Sequence, residues 1–216
     1  MPSPSIVQVF QNEIGYGPAS PVTIACTGVT AGNSLVVVCM SAGDLVFGTP
    51  SDGANTYSTC PATDFAIAAQ GCTRTFYTSA VAVGGTITIS CPFTTTNPGY
   101  TDFYVYEVSG AIGYETGKSY GTFNAGPAAT GAFSVAQANS LVLLTVYNNS
   151  GTPASASAGY TIYFTTPNSE VQSYKKTGAS AESPSCALPG GAAQWIITAA
   201  SFYPTGSPFG GCAYDC

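Results

Sequence analysis

In Thr86-Ile87-Thr88-Ile89-Ser90-Cys91 every second side chain is apolar and the ones between carry hydroxyls. A β-strand turns successive side chains to opposite faces, so Ile87, Ile89 and Cys91 would cover a core while Thr86, Thr88 and Ser90 meet water. The same alternation recurs on both sides of this segment. It predicts strands at Ile6–Phe10, Val22–Cys26, Leu35–Met40, Thr73–Ser79, Phe103–Val108, Leu141–Tyr147, Tyr160–Thr165, Val171–Lys176 and Trp195–Phe202. Leu35–Cys39 and Leu141–Leu144 are apolar on both faces, as in strands with a neighbour above and below. Clusters of Gly, Pro, Asn and Ser separate the strands, and no stretch of ten or more residues sustains a helical period. This pattern predicts an all-β fold, an antiparallel β-sandwich of jelly-roll type. One domain is expected over residues 1–216, with a Cys-containing tail at about Tyr203–Cys216.

Charge is sparse. Only 4 Lys+Arg and 10 Asp+Glu occur among 216 residues, with no histidine and a formal net charge of −6. Without histidine no Ser-His-Asp or Cys-His nucleophile and no His-ligated zinc can be assembled. Four cations cannot neutralise a nucleic-acid backbone, so nucleic acid is excluded as a partner. Yet 45% of the residues are hydrophobic, too many for a disordered chain. The longest apolar runs, such as Leu35–Met40, fall far short of the ~20 residues that span a bilayer, so no membrane insertion by a helix is expected.

Eight cysteines are present, none in a CxxC pair, so disulfides are favoured over metal or redox-motif readings. A two-residue hairpin loop at Gly32-Asn33 would place Cys26 opposite Cys39, within bridging distance. The same local logic joins Cys60 to Cys72 and Cys212 to Cys216, leaving Cys91 and Cys186 as a long-range staple. The segment Met1-Pro2-Ser3-Pro4-Ser5 does not read as a secretory leader. A chain made in a cytosol and matured in an oxidising medium, as a phage structural protein is, reconciles that start with the cysteines.

An internal echo is visible at an offset of 106. Asn33-Ser34-Leu35-Val36 recurs as Asn139-Ser140-Leu141-Val142, Gly53 matches Gly159, Tyr57 matches Tyr163, and Gly84-Gly85 match Gly190-Gly191. It hints at two similar strand groups packed face to face. The stretch Gly121–Gly131 is the candidate crossover between them. Four segments also carry a resemblance: Ile6-Val7-Gln8, Thr30-Ala31-Gly32-Asn33-Ser34-Leu35-Val36-Val37, Ser51-Asp52-Gly53-Ala54-Asn55-Thr56-Tyr57 and Tyr104-Val105-Tyr106-Glu107-Val108-Ser109-Gly110. In these the chain resembles a poorly characterised family of β-sandwich domains from bacterial surface proteins and phage virion proteins. The resemblance runs through Phe202 and implies a virion-surface or extracellular setting without catalytic residues. The cysteines and the tail are additions to that family's pattern.

Candidate sites are few. Asp52-Gly53-Ala54-Asn55 has the residue types of a calcium loop and equally those of a turn, and the turn is favoured because no further carboxylate follows closely. Glu107 with Glu115 or Asp102 could supply a glycosidase pair, but an ion pair of Glu107 with Arg74 or Lys118 is the expected role. No catalytic residue, cofactor or metal is assigned. Tyr100, Tyr104, Tyr106, Tyr114 and Tyr120 cluster in one segment and are the candidates for contact with another chain or a glycan. Two functions follow. The first is a non-enzymatic structural subunit whose low charge reflects faces buried against its own copies or a major lattice protein. The second is an extracellular carbohydrate-binding or adhesion module. Low charge favours the first, since a monomeric module relies on surface charge to stay soluble.

Overall fold

The computed structural model describes residues 3–67, 71–97, 99–122, 127–148, 159–165, 171–187 and 194–205. Among these the chain is all-β, every strand pairing is antiparallel, and the only helical element is one 3-10 turn at Pro61–Thr63. The first ten strands are β1 (Ile6–Tyr16), β2 (Val22–Val29), β3 (Ser34–Ser41), β4 (Asp44–Phe47), β5 (Ser58–Thr59), β6 (Phe65–Ile67), β7 (Gly71–Thr78), β8 (Gly85–Cys91), β9 (Phe93–Asn97) and β10 (Tyr100–Val108). The remainder are β11 (Ile112–Thr122), β12 (Ala128–Ala129), β13 (Phe133–Val135), β14 (Ser140–Asn148), β15 (Thr161–Thr165), β16 (Val171–Thr177), β17 (Ser180–Glu182), β18 (Ser185–Cys186) and β19 (Trp195–Pro204). Each of the ten strands expected from period-two alternation falls on one of these.

Two larger sheets run β1-β10-β3-β7-β5, with β6 also on β7, and β11-β19-β14-β16-β15. The smaller ones pair β2 with β8, β4 with β9, β12 with β18 and β13 with β17. Side-chain alternation decides which layers meet. Leu35, Val37 and Cys39 of β3 pack with Ile24, Phe47, Ile89 and Phe93 from the small pairs of the first half. Val36, Val38 and Met40 point the other way and meet Leu141, Leu143, Ile196 and Phe202 of the second large sheet. On β14, Val142, Leu144 and Val146 pack outward on Ala128, Phe133, Val135 and Cys186. The two large sheets are therefore central, back to back, with small strand pairs covering each outer face. That is why β3 and β14 are apolar on both sides, each buried aliphatic side chain contributing about 2 kcal/mol. Gly121 lets β11 pass close to the first half, since a Cβ there would lie 2.8 Å from Phe65 and 2.9 Å from Ile67.

The register shows that the halves repeat one another. Val22 pairs with Cys91 and Ala128 with Cys186, while Val29 pairs with Gly85 and Val135 with Ser180. The first members lie 106 apart (128 − 22 and 135 − 29), the offset of the sequence echo, and the second members 95 apart (186 − 91 and 180 − 85). On the large sheets the correspondence slips by one residue: Leu35 faces the small pairs of its half, as Val142 does in the second, whereas Leu141 faces the core between the large sheets. Chain length thus shrinks between β14 and β17 relative to the first half, so a single offset cannot align everything. Gly85 corresponds to Ser180, not to Gly191, and Gly190-Gly191 lie outside the described residues.

Several expectations are corrected. No hairpin joins β2 to β3: Cys26 lies opposite Ile87, and Cys39 lies between Phe103 and Arg74. The chain between them climbs from a small pair into the large sheet, held by Asn33 N–H to Thr30 O (3.2 Å) and Gly32 N–H to Val81 O (2.9 Å). Such an arch carries no hairpin register, so the Cys26–Cys39 bridge fails. Cys60 lies in the core between the large sheets and Cys72 on the other face of β7, which separates that pair too. Cys91 and Cys186 occupy the first and third cores, a large sheet pair apart. All six described cysteines are buried thiols, and Cys212 and Cys216 lie outside the described residues. Burial pushes the Cys26 and Cys72 thiols up to about 12, so both are protonated at neutral pH. The expected crossover Gly121–Gly131 instead contains the end of β11 and all of β12.

Candidate contact surface and the carboxylate-held turns

The tyrosine segment divides by strand parity. On β10 the even positions face the second large sheet, so Tyr104 opposite Val38 and Tyr106 opposite Val36 are fully buried. Neither can touch a glycan or another chain; both serve the core. Tyr114 is half-buried, its ring 6.4 Å from Tyr77 and 6.0 Å from Phe202. Tyr100 and Tyr120 remain exposed at 47% and 51%.

Tyr100 is not alone. Tyr16 is 68% exposed, stands opposite it on β1, and meets it edge to face at 5.9 Å. A register shift between Glu13 and Gly15 creates this pair, Gly15 taking a φ of 76° that the shift uses. Without the shift Tyr16 would share the inward face of Phe10 and Ile14. The strand read from the sequence stops at Phe10 and so missed Tyr16; the glycine one residue earlier was the only signal of the shift. Tyr120, at the other large sheet's edge, packs on Trp195 at 5.7 Å. Val7, Val46, Val83 and Ile162 are the other large apolar side chains left exposed among the described residues.

The carboxylates are committed to turns. Glu107 Oε1 accepts from Thr30 N–H (2.9 Å) and from the Asn33 amide, and its Oε2 accepts from the Gln8 amide. Burial acts to raise its pKa, but these donors outweigh it and hold the carboxyl below its ordinary value. No ion pair forms with Arg74 or Lys118, contrary to expectation, because neutral donors from the arch already fill both oxygens. Arg74 instead pairs with Asp64 at 2.9 Å and lies 5.5 Å over the Phe76 ring. In the second half Glu115 does the equivalent task. It accepts from the N–H groups of Ala136 and Gln137 and from the hydroxyls of Ser140 and Ser201. Ala136 is the counterpart of Thr30 at the same 106 offset, yet Glu107 reaches its arch from β10 and Glu115 from β11. Two different strands thus supply one structural role.

Asp52 holds a third turn. Its Oδ1 accepts from Ala54 N–H (2.9 Å) and Asn55 N–H (2.7 Å), its Oδ2 from the Asn55 amide (2.8 Å) and the Tyr57 hydroxyl (2.9 Å). Burial alone would raise its pKa; the four donors lower it. Asn55 in turn accepts from Ala82 N–H at 3.1 Å, tying this loop to the turn before β8. Among the described residues no group of three or more His, Cys, Asp or Glu side chains is placed to hold a metal ion. The chain is thus a charge-poor, twice-repeated all-β protein; among the described residues, carboxylates brace turns and the large exposed apolar side chains are tyrosine, valine and one isoleucine. Comparison with protein-family models, with curated proteins and with solved structures returns no match.

Proposed function

We propose that this is a non-enzymatic structural protein, a capsid-decoration, cement or tail component of a virion or a subunit of a cell-surface assembly. It works through contacts with its own copies or with a major lattice protein, at a virion surface or outside the cell. The Tyr16–Tyr100 pair carries this reading: two large rings left in solvent on a chain with 14 charged residues. Rigid aromatics of this kind supply the anchors of protein interfaces. The resemblance to virion and surface β-sandwich domains supports the same reading. We take each half as a two-layer sandwich, the two stacked through their large sheets. A second reading, an adhesion module, draws on the same pair, since an edge-to-face ring pair also offers a platform for a sugar ring.

Native mass and sedimentation of the full chain across a range of concentrations tests the assignment. Self-association is expected, and substituting both rings (Tyr16→Ser with Tyr100→Ser) should weaken it roughly thirtyfold, the effect of removing a ~2 kcal/mol anchor. A monomer at all concentrations that binds neither lattice nor particle, but binds an immobilised glycan through these rings, would transfer the assignment to the adhesion module.

A further inference from the structure

Cys39 on β3 and Cys91 at the end of β8 have their sulfurs 3.5 Å apart inside the first core, both fully buried. β3 belongs to the large sheet and β8 to the small pair covering it, so the contact spans two layers. From this geometry we propose that Cys39 and Cys91 form a disulfide that staples the two layers of the first half when the chain folds in an oxidising medium. A bond needs the sulfurs to close from 3.5 Å to ~2.05 Å.

The internal repeat sharpens the assignment. Cys186 is the counterpart of Cys91, because Ala128 pairs with it as Val22 pairs with Cys91. The β14 side chains that face Cys186 are Val142, Leu144 and Val146, and no residue of β14 is a cysteine. The second half therefore cannot build the same bridge from β14 to Cys186.

The oxidant is a low-molecular-weight disulfide such as glutathione disulfide. One cysteine thiolate attacks it, forming a mixed disulfide and releasing one reduced thiol. The second thiolate then attacks the protein-bound sulfur, closing Cys39–Cys91 and releasing the other thiol. Two protons leave the cysteines and two electrons pass to the oxidant. Because burial raises the Cys39 thiol pKa and shields both sulfurs, exchange takes place before the layers close.

The test is refolding of the full chain with reduced and oxidised glutathione, alkylation under denaturing conditions without reductant, and peptide mass spectrometry. The expected result is a Cys39–Cys91 linked peptide, lighter by two hydrogens than its parts. Reduction should lower Tm by about 10 °C in the wild type, since the bridge closes a long loop, and should leave Tm unchanged in Cys39→Ala. Alkylation of both Cys39 and Cys91, or a bridge from Cys39 to Cys72 on the same face, would overturn the assignment. The wild-type mass result stands even if the variant folds poorly.

Discussion

Phe202→Ala is expected to lower stability by about 4 kcal/mol, the upper part of the range for deleting a buried aromatic ring. Phe202 is fully buried where the two large sheets meet, with Tyr77 of the first half 5.7 Å away and Tyr114 6.0 Å away, both edge to face. No neighbour can collapse into the vacated space without moving a strand, because β19 is paired on both sides. Urea unfolding gives the free energy, and Tm should fall by roughly 8–16 °C. Val46→Ala, at a side chain 63% exposed, is the comparison and should stay within about 0.5 kcal/mol. A loss below about 1 kcal/mol for Phe202→Ala would mean that the halves do not depend on this contact.

Glu107→Ala should cost about 3 kcal/mol, since it strands the Thr30 N–H and the Asn33 and Gln8 amides without their acceptor. Glu107→Gln keeps one acceptor oxygen and should cost less than half as much. The pH dependence has a definite sign. The folded carboxyl titrates below its ordinary value of 4.5, so the unfolded chain binds the proton first as pH falls. Stability from this group is complete above about pH 5 and drains away as pH drops through the folded pKa. Asp52, also held low, adds a component of the same sign. Denaturation at stepped pH should show the wild type and Glu107→Gln converging in acid. Parallel curves from pH 6 to 3 would refute the carboxylate's role in holding the arch.

The strands were legible where one face or both were buried in aliphatic side chains, as in Thr86–Cys91 and Leu35–Met40. β11 was not: its glycines at 113, 117 and 121 break any period, and as a sheet edge it is mostly half-exposed. The cysteine pairing was misread because Gly32-Asn33 looks like a hairpin turn, whereas Glu107, distant in sequence, pins that turn as an arch between layers. Local turn chemistry could not reveal a partner contributed from 77 residues away. The repeat was legible only in its front half, where spacing is preserved. Burial of Tyr104 and Tyr106 follows from a second large sheet on the far side of β10, which the polarity of a tyrosine hydroxyl conceals.

In each large sheet the last strand to be synthesised is not an edge. β10 inserts between β1 and β3, and β19 between β11 and β14. On a ribosome the first sheet can be sealed once Val108 has emerged, while the second must keep a slot open until Trp195–Pro204 arrives. Until then β11 and β14 each present a row of unpaired backbone groups to the same gap, a template for a strand of another chain. A stop codon shortly before Trp195 would therefore leave the whole second sheet split, so such truncations should accumulate as aggregates rather than as a trimmed, folded protein.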